Sequence, residues 1–216
     1  MESRNGKITS IEVQKRNKDR VNVFVNYEFA FACNMELVYK EGLSKGCIID
    51  ERRLKEIVYK EEKIKAKSTA LKILERTLKT EKEVREKLID KGYDGNIADE
   101  TIEFLKGYNF INDETYAKLF VKEKLKSKGK NKIRFDLQQK GIDSELISKI
   151  FYEIDDDVEN NIAKELCIKK YNILKKSTDD ERKIKEKLFR YLVSRGYDFS
   201  LSNGIIKETI NEFKEY

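Results

Sequence analysis

The chain has 216 residues, of which 40% are charged and 39% hydrophobic, and it contains neither histidine nor proline. It has no run of 18 apolar residues and no apolar stretch behind its N-terminus, which excludes a membrane-spanning helix and predicts a cytoplasmic protein. Histidine is the commonest general base and metal ligand, so we expect no enzyme activity, no metal and no cofactor.

Three cysteines are scattered along the chain, at Cys33, Cys47 and Cys167. Their number is odd and they lack the paired spacing of a metal site, so we expect reduced, idle thiols. The sequence also lacks Gly-x-x-x-x-Gly-Lys and Gly-x-Gly-x-x-Gly, the phosphate-binding loops of nucleotide enzymes.

The first third of the chain alternates apolar and polar residues with the period of β-strands. The apolar positions are Ile11, Val13, Val21, Val23, Val25, Phe29, Phe31 and Cys33. The segments Arg16–Arg20 and Asn26–Tyr27 interrupt the alternation as hairpin loops, which predicts a small three-stranded antiparallel sheet. Asn34 is placed to cap a short helix ending near Gly42, and a second short helix is expected from about Asp50.

From about Glu61 the apolar spacing becomes that of helices, and one apolar stripe is predicted. It comprises Ile64, Leu71, Leu74 and Leu78. Thr80 to Glu83 matches a capping box, in which the hydroxyl and the carboxylate each accept from an unpaired backbone N–H. The helix that it opens is expected to stop at Gly92, and the next helix to start at Asp94 or Asn96 and end at Gly107.

An internal repeat is the strongest signal in the sequence. A basic residue, glycine, an apolar residue and aspartate occur in this order at Lys91–Asp94, Lys140–Asp143 and Arg195–Asp198. The residues eight and four positions before and five and ten positions after each glycine are apolar in all three copies. They are Val84, Leu88, Ile97 and Ile102; Ile133, Leu137, Leu146 and Phe151; Leu188, Leu192, Leu201 and Ile206.

Each repeat is interpreted as a three-helix unit. The glycine ends one helix, the apolar residue enters the core and aspartate caps the next helix. The third unit is longer, and its insertion is expected around Lys175–Thr178. The predicted domains are a β-rich module at 1–60 and three-helix repeats at 61–112, 113–157 and 158–216. Stacked repeats predict a mostly α-helical, elongated arc.

Charge is distributed in blocks of alternating sign. Lys122–Arg134 carries seven basic residues and one acid, Asp143–Glu165 eight acids and two lysines, and Lys169–Arg195 ten basic residues and four acids. Such a pattern favours a complementary protein surface over a pure phosphate ligand. The run Asp155–Asp157 is interpreted as a solvated helix boundary and not as a metal site.

Candidate binding residues for a partner or DNA are the basic side chains outside the apolar stripes. They are Arg85, Lys87, Lys91, Lys124, Lys126, Lys130, Lys132, Arg134, Lys140, Arg190 and Arg195. Lys91, Lys140 and Arg195 have an alternative role within the fold. A basic residue at a helix end can satisfy the terminal carbonyls and the helix dipole instead of binding a partner.

The repeated segments resemble those of the RecX family of regulatory proteins. The resemblance is carried by Glu86–Tyr93, by the glycine-aromatic turn and helix start at Gly107–Ala117, and by the isoleucine-arginine helix at Ile133–Ile142. It covers residues 61–216, and the N-terminal sheet is similar to an extension in members from low-GC Gram-positive bacteria. Such members often have Asp-Gly where this chain has Asn26 and Tyr27.

This resemblance implies a regulator of the RecA recombinase in DNA repair, recombination and the SOS response. It implies a monomer that lies in the groove of the RecA–DNA filament, inhibits ATP hydrolysis and strand exchange, and promotes disassembly. It also implies weak DNA binding. The alternative that the residues leave open is a stand-alone, non-specific DNA-binding protein, favoured by the basic blocks.

Overall fold

A computed structural model describes residues 6–15 and 17–213. These residues divide into two compact units, one from the described residues up to Thr77 together with Val84–Phe110, and a second from Leu78–Glu83 together with the described residues from Ile111 onward. No helix in this part of the chain is long and apolar enough to cross a bilayer. Arg16, in the first predicted hairpin loop, lies outside the described residues.

The first unit begins with an antiparallel sheet of strand order β3-β2-β1-β4. The strands are β1 (Gly6–Val13), β2 (Arg20–Val25), β3 (Glu28–Asn34) and β4 (Ile48–Ile49). Three of these were predicted, and the two-residue β4 was missed. The face carrying Ile8, Val23 and Phe31 is buried.

The turn between β2 and β3 has two residues, because Val25 pairs with Glu28. Both of them lie in the left-handed region, Asn26 at φ 52° and Tyr27 at φ 69°. This is the geometry of a type I′ turn, whose twist matches that of the strands. The hairpin therefore forms without the glycine that this turn usually prefers.

Helix α1 (Met35–Lys40) follows β3, and helix α2 (Glu51–Leu74) follows β4. Asn34 caps α1 as predicted, since its side chain accepts a hydrogen bond from the N–H of Glu36. The helix expected from about Asp50 starts there, with Asp50 as its cap, but its predicted short length was wrong, because α2 runs unbroken for 24 residues. The predicted boundary at residue 60 falls inside α2, and the predicted domain boundaries remain a proposal.

The buried face of α2 differs from the predicted stripe. Ile64 is 45% exposed and Leu78 59% exposed, whereas Ile57, Ala66 and Ala70 are fully buried. Glu61 is also buried, and its carboxylate accepts from Arg20 Nη1 at 2.6 Å and from the N–H of Asn34 at 2.8 Å. The predicted stripe was wrong at Ile64, because a satisfied carboxylate and small alanines make the contacts that apolar periodicity assigns to large residues, and at Leu78, which lies beyond the end of α2. Leu71 and Leu74 are half-buried.

The remaining helices form the three predicted three-helix groups. The first group comprises the C-terminal part of α2, α3 (Glu81–Asp90) and α4 (Gly95–Gly107). The second comprises α5 (Asp113–Lys124), α6 (Lys130–Gln139) and α7 (Ser144–Tyr152). The third comprises α8 (Asp156–Lys175), α9 (Glu181–Ser194) and α10 (Phe199–Glu212). The residues eight and four positions before each repeat glycine are fully buried. Helices α3 and α6 begin eleven residues before their glycines, whereas α9 begins fifteen before, so part of the third unit's extra length is one more turn of α9.

The three glycine turns have one backbone geometry. Gly92, Gly141 and Gly196 have φ of 87°, 85° and 89°. The aspartate that follows, Asp94, Asp143 or Asp198, accepts from the backbone N–H two residues further on in each case. The predicted roles of the glycine and the aspartate are confirmed in all three turns, and the cap of α4 is Asp94 and not Asn96. The apolar residue is buried at Ile142 and Tyr197 and half-buried at Tyr93.

Candidate functional site

Two turns of the repeat make a specific contact with the start of an earlier helix, within the second unit. We call each contact a joint. In joint 1 the segment Thr80–Glu83 meets the turn at Lys140. Thr80 Oγ1 donates to the carbonyl of Lys140 at 2.7 Å, and Lys140 Nζ reaches Glu83 Oε1 at 2.7 Å. Lys82 Nζ donates to the carbonyl of Gln139 at 3.0 Å.

Joint 2 repeats this arrangement between the start of α6 and the turn at Arg195. The N–H of Gly129 donates to the carbonyl of Arg195 at 3.0 Å, and the N–H of Asn131 to that of Gly196 at 3.2 Å. In return, Arg195 Nη1 donates to the carbonyl of Ser127 at 3.3 Å. The end of a helix has unpaired carbonyls, and both joints satisfy them, with side-chain donors in joint 1 and with backbone N–H groups in joint 2.

A carboxylate from a later leading helix completes each joint. Asp113 of α5 accepts from the N–H of Glu81 at 2.9 Å, and Glu159 of α8 accepts from the N–H of Lys130 at 2.7 Å. An anion at a helix N-terminus is stabilised by the helix dipole and by the exposed N–H groups. The two joints are therefore one structural device, used twice.

Charge strengthens joint 1. Partial burial raises the pKa of the Glu83 carboxyl, but hydrogen bonds from Lys140 and from the N–H of Thr80 outweigh this and lower it below the ordinary 4.5. Burial likewise lowers the pKa of Lys140, and its contacts with Glu83 and Tyr116 raise it above the ordinary value. Both groups are therefore charged at neutral pH, and their pairing stabilises the joint.

Several of the predicted binding residues lie in or beside the joints. Lys140 and Arg195 have the intramolecular partners just described, which lie on other segments of the chain and are not the carbonyls at the ends of their own helices. Lys130 lies 4.0 Å from Glu159, and Lys132 Nζ lies 3.2 Å from Asp136. Nε of Arg195 is buried and without a partner among the described residues.

Four other candidates have neighbours on their own helices or on the next helix. Lys124 lies over the ring of Phe120 at 5.7 Å, and Lys126 pairs with Glu123. Arg134 donates to Ser148 Oγ at 3.1 Å. Arg190 is exposed and pairs with Glu186 at 3.3 Å, a contact that solvent screening makes weak.

The three candidates of the first repeat are exposed. Arg85 makes a two-pronged contact with Asp99, with its Nε 2.5 Å from Oδ1. The side chains of Lys87 and Lys91 are four residues apart, at the end of α3 and just beyond it, and have no ion pair or hydrogen bond among the described residues. Both cations are exposed near the C-terminal end of α3.

An exposed aromatic group near Lys67 was not predicted. Phe104 and Tyr108 have ring centroids 4.8 Å apart, and Tyr108 and Phe110 stack at 6.3 Å. Lys67 Nζ lies 4.0 Å from the centroid of Phe104, while Tyr108 is 68% and Phe110 51% exposed. The segment Gly107–Phe110 at the end of α4 is the sequence feature that could have indicated this group. Within this segment Asn109 has a positive φ of 61°, and the chain turns there.

The acidic run was interpreted correctly at Asp155, which caps α8 by accepting from the N–H of Asp157. The side chain of Asp156 lies outside the described residues. Among those that are described, no group of three or more His, Cys, Asp or Glu residues could hold a metal ion. The three cysteines are free, and Cys33 and Cys167 are buried.

Comparison with known proteins decides the family. Four family models match the chain in order: the RecX N-terminal domain at residues 6–50, and the first, second and third RecX three-helix domains at 66–105, 112–149 and 157–206. A protein named Regulatory protein RecX from Clostridium perfringens is 50% identical, over 97% of this chain and 100% of its own.

The chain belongs to the RecX family of regulatory proteins. A crystal structure of regulatory protein RecX is 27% identical, covers 94% of this chain and 99% of its own, and superimposes with a TM-score of 0.71. RecX from Lactobacillus salivarius is 26% identical and covers 68% of this chain and 96% of its own, with a TM-score of 0.61. In this chain, as the sequence predicted, three tandem three-helix domains follow a small antiparallel sheet.

Proposed function

We propose that this chain regulates the RecA recombinase by binding the RecA–DNA filament, and that it lowers ATP hydrolysis, strand exchange and filament stability. The observation that carries the proposal is family membership along the whole chain, from the N-terminal domain to the third three-helix domain. The relatives are named as regulators, and the resemblance implies that RecA is the partner. We place the protein in the cytoplasm, as a monomer.

The charge pattern supports a protein partner. The joints give Lys140 and Arg195 intramolecular roles, so we propose that the contact surface uses the exposed candidates of the first repeat, above all Lys87 and Lys91. Acids at the start of α8, such as Asp155 and Asp157, lie exposed. A surface that presents cations and anions in separate places suits a partner with both charges.

The test is RecA ATPase and strand exchange on single-stranded DNA, with this protein added below stoichiometry. We expect both rates to fall as the protein is titrated. The double variant Lys87→Glu with Lys91→Glu should require a higher concentration for the same effect, because binding loses two contacts and gains repulsion. Rates that do not change with the wild-type protein would remove the proposal.

A second candidate function, non-specific binding of single-stranded DNA, is favoured by the stacked rings of Phe104, Tyr108 and Phe110 beside Lys67. Aromatic faces stack on bases without sequence preference, and each base contributes about 1–3 kcal/mol. Binding through about three phosphates would weaken with a log–log salt slope of roughly −2 to −3. Anisotropy with a labelled oligonucleotide tests it: Tyr108→Ala should weaken binding, as should a combined change of Lys124, Lys126, Lys130 and Lys132 to Glu.

A further inference from the structure

The two joints show what the basic-glycine turn of this repeat binds. In each, the occupant is the start of a helix: Thr80–Glu83 at the Lys140 turn, and Gly129–Lys132 at the Arg195 turn. The turn offers carbonyls that accept hydrogen bonds and a basic side chain. The occupant offers an N–H or hydroxyl donor and, in joint 1, the carboxylate of Glu83.

Close approach at the glycine is part of the contact. A Cβ on Gly141 would lie 2.6 Å from the Cβ of Lys82, and one on Gly196 would lie 2.3 Å from the Cβ of Lys132. Real Cβ atoms do not approach other atoms this closely, so the occupant needs a bare glycine at the turn.

The turn of the first repeat has the same backbone but no occupant among the described residues. A Cβ on Gly92, at φ 87°, would meet nothing within 4 Å. Lys91 and Gly92 are exposed, their carbonyls accept no hydrogen bond from residues 6–15 and 17–213, and the Lys91 ammonium is unpaired within these ranges. Its backbone is held by the same local hydrogen bond as in the other two turns, from the N–H of Tyr93 to the carbonyl of Leu88 at 3.2 Å. The first turn therefore has the shape that holds an occupant in the joints, and it has no occupant among the described residues.

A second copy of this chain would not supply the missing occupant from its third repeat. The residue twelve positions before the glycine is Thr80 in the first repeat and Gly129 in the second, and each directly precedes its helix. In the third repeat that residue is Ile184, which is 2% exposed inside α9. The extra turn of α9 takes the place where a helix start would be presented.

We propose that the turn Lys91–Asp94 is a docking site for the first turn of a helix in a partner protein. The occupant begins with Ser, Thr or Gly, places a donor on the carbonyl of Lys91, and carries an acidic residue in its first turn that pairs with Lys91. Taking the partner to be the RecA filament rests on the function proposed above; the chemistry of the occupant rests on the two joints alone.

The test uses Gly92→Asn and Lys91→Glu in the full chain. Asparagine tolerates a positive φ better than other side chains, so Gly92→Asn adds bulk at the turn with little backbone strain. Its matched control is Gly42→Asn, since Gly42 also has a positive φ, of 61°, and open space around a Cβ. The control for Lys91→Glu is Lys187→Glu, an exposed lysine of α9 with no partner among the described residues.

Each protein is titrated against preformed RecA–single-stranded DNA filaments by co-sedimentation and against the naked oligonucleotide by anisotropy, after its melting temperature is compared with its control. We expect Gly92→Asn to weaken filament binding about tenfold and Lys91→Glu about threefold, while the controls bind as the wild type does. Binding to the naked oligonucleotide should not change.

The outcomes separate the two proposals. Wild-type protein that does not sediment with filaments would overturn the proposed function and this docking site with it. Wild-type binding that both variants retain would overturn the docking site and leave the proposed function standing. An equal loss of filament and oligonucleotide binding in Gly92→Asn would make the occupant a nucleic acid, and so contradict a helix start.

Discussion

The three repeat glycines have one backbone conformation but different surroundings. They therefore allow the backbone strain of an added Cβ to be distinguished from its steric overlap with neighbouring atoms. Gly92, Gly141 and Gly196 share a φ close to 87°, which any L-residue other than glycine adopts only with strain. They differ in their surroundings: Gly92 has open space where a Cβ would be, whereas a Cβ on Gly196 would lie 2.4 and 2.8 Å from the backbone N and Cα of Lys132. Backbone strain is common to all three, and steric exclusion belongs to the joints.

Alanine at each glycine should therefore give graded losses of stability. Gly92→Ala measures strain alone, and we expect its free energy of unfolding to fall by about 1 kcal/mol. Gly196→Ala adds an overlap with backbone that cannot rotate away, and should lose roughly 1–3 kcal/mol more. Gly141→Ala meets only the side chain of Lys82 and should fall between them. Urea unfolding followed by circular dichroism measures the series, and equal losses at the three glycines would contradict the steric role of the joints.

Among the elements, the β2–β3 hairpin carries visible local strain. Tyr27 has a φ of 69° and is 90% exposed, so its ring gains little from packing and its Cβ makes the left-handed conformation unfavourable. Asn26, the other turn residue, tolerates this region better. The strain persists because the strands on both sides fix a two-residue turn.

Tyr27→Gly should stabilise the protein by about 0.5–1 kcal/mol, since Asn-Gly is the preferred type I′ pair and relief of strain exceeds the added freedom of the unfolded chain. Tyr27→Ala keeps the Cβ and is the matched control, for which we expect no gain. Thermal unfolding of both variants checks this. A gain of the same size in Tyr27→Ala would mean that the exposed ring, and not the backbone, is unfavourable.

The helical repeats could be predicted from sequence because their signals are local. A glycine that must take a positive φ, an aspartate cap and apolar residues four and eight positions before the glycine define the pair of helices around each turn. These requirements involve residues within about ten positions of one another, so Gly92 and Asp94 show them without knowledge of the rest of the fold.

Features that depend on distant contacts were missed for the same reason. The predicted break in α2 came from a change of apolar period at Glu61, whose carboxylate is buried because Arg20, 41 positions away, pairs with it. Strand β4 has only two residues and exists through its pairing with Gly6 and Lys7. Lys140 was a surface candidate by sequence, and only the fold places it against Glu83, 57 positions earlier.

At the scale of the molecule, the joints make neighbouring repeats of the second unit depend on each other. The N–H groups of Gly129, Lys130 and Asn131 are satisfied by Arg195, Glu159 and Gly196, all in the third repeat. The start of α9 instead relies on its own cap, Asp180, which accepts from the N–H of Lys183. In a repeat array, stability resides largely in such contacts between neighbours.

Amide hydrogen exchange should reveal this dependence. The N–H groups of Gly129 and Asn131 can exchange only when the third repeat separates from α6, so we expect protection factors roughly a hundredfold above that of Lys183, whose cap opens by local fraying. In Gly196→Ala the overlap with Lys132 weakens joint 2, and protection should fall at Gly129 and Asn131 while Lys183 is unchanged. A similar fall at all three amides would indicate global destabilisation, and protection unaltered at Gly129 would show that the third repeat does not hold the start of α6.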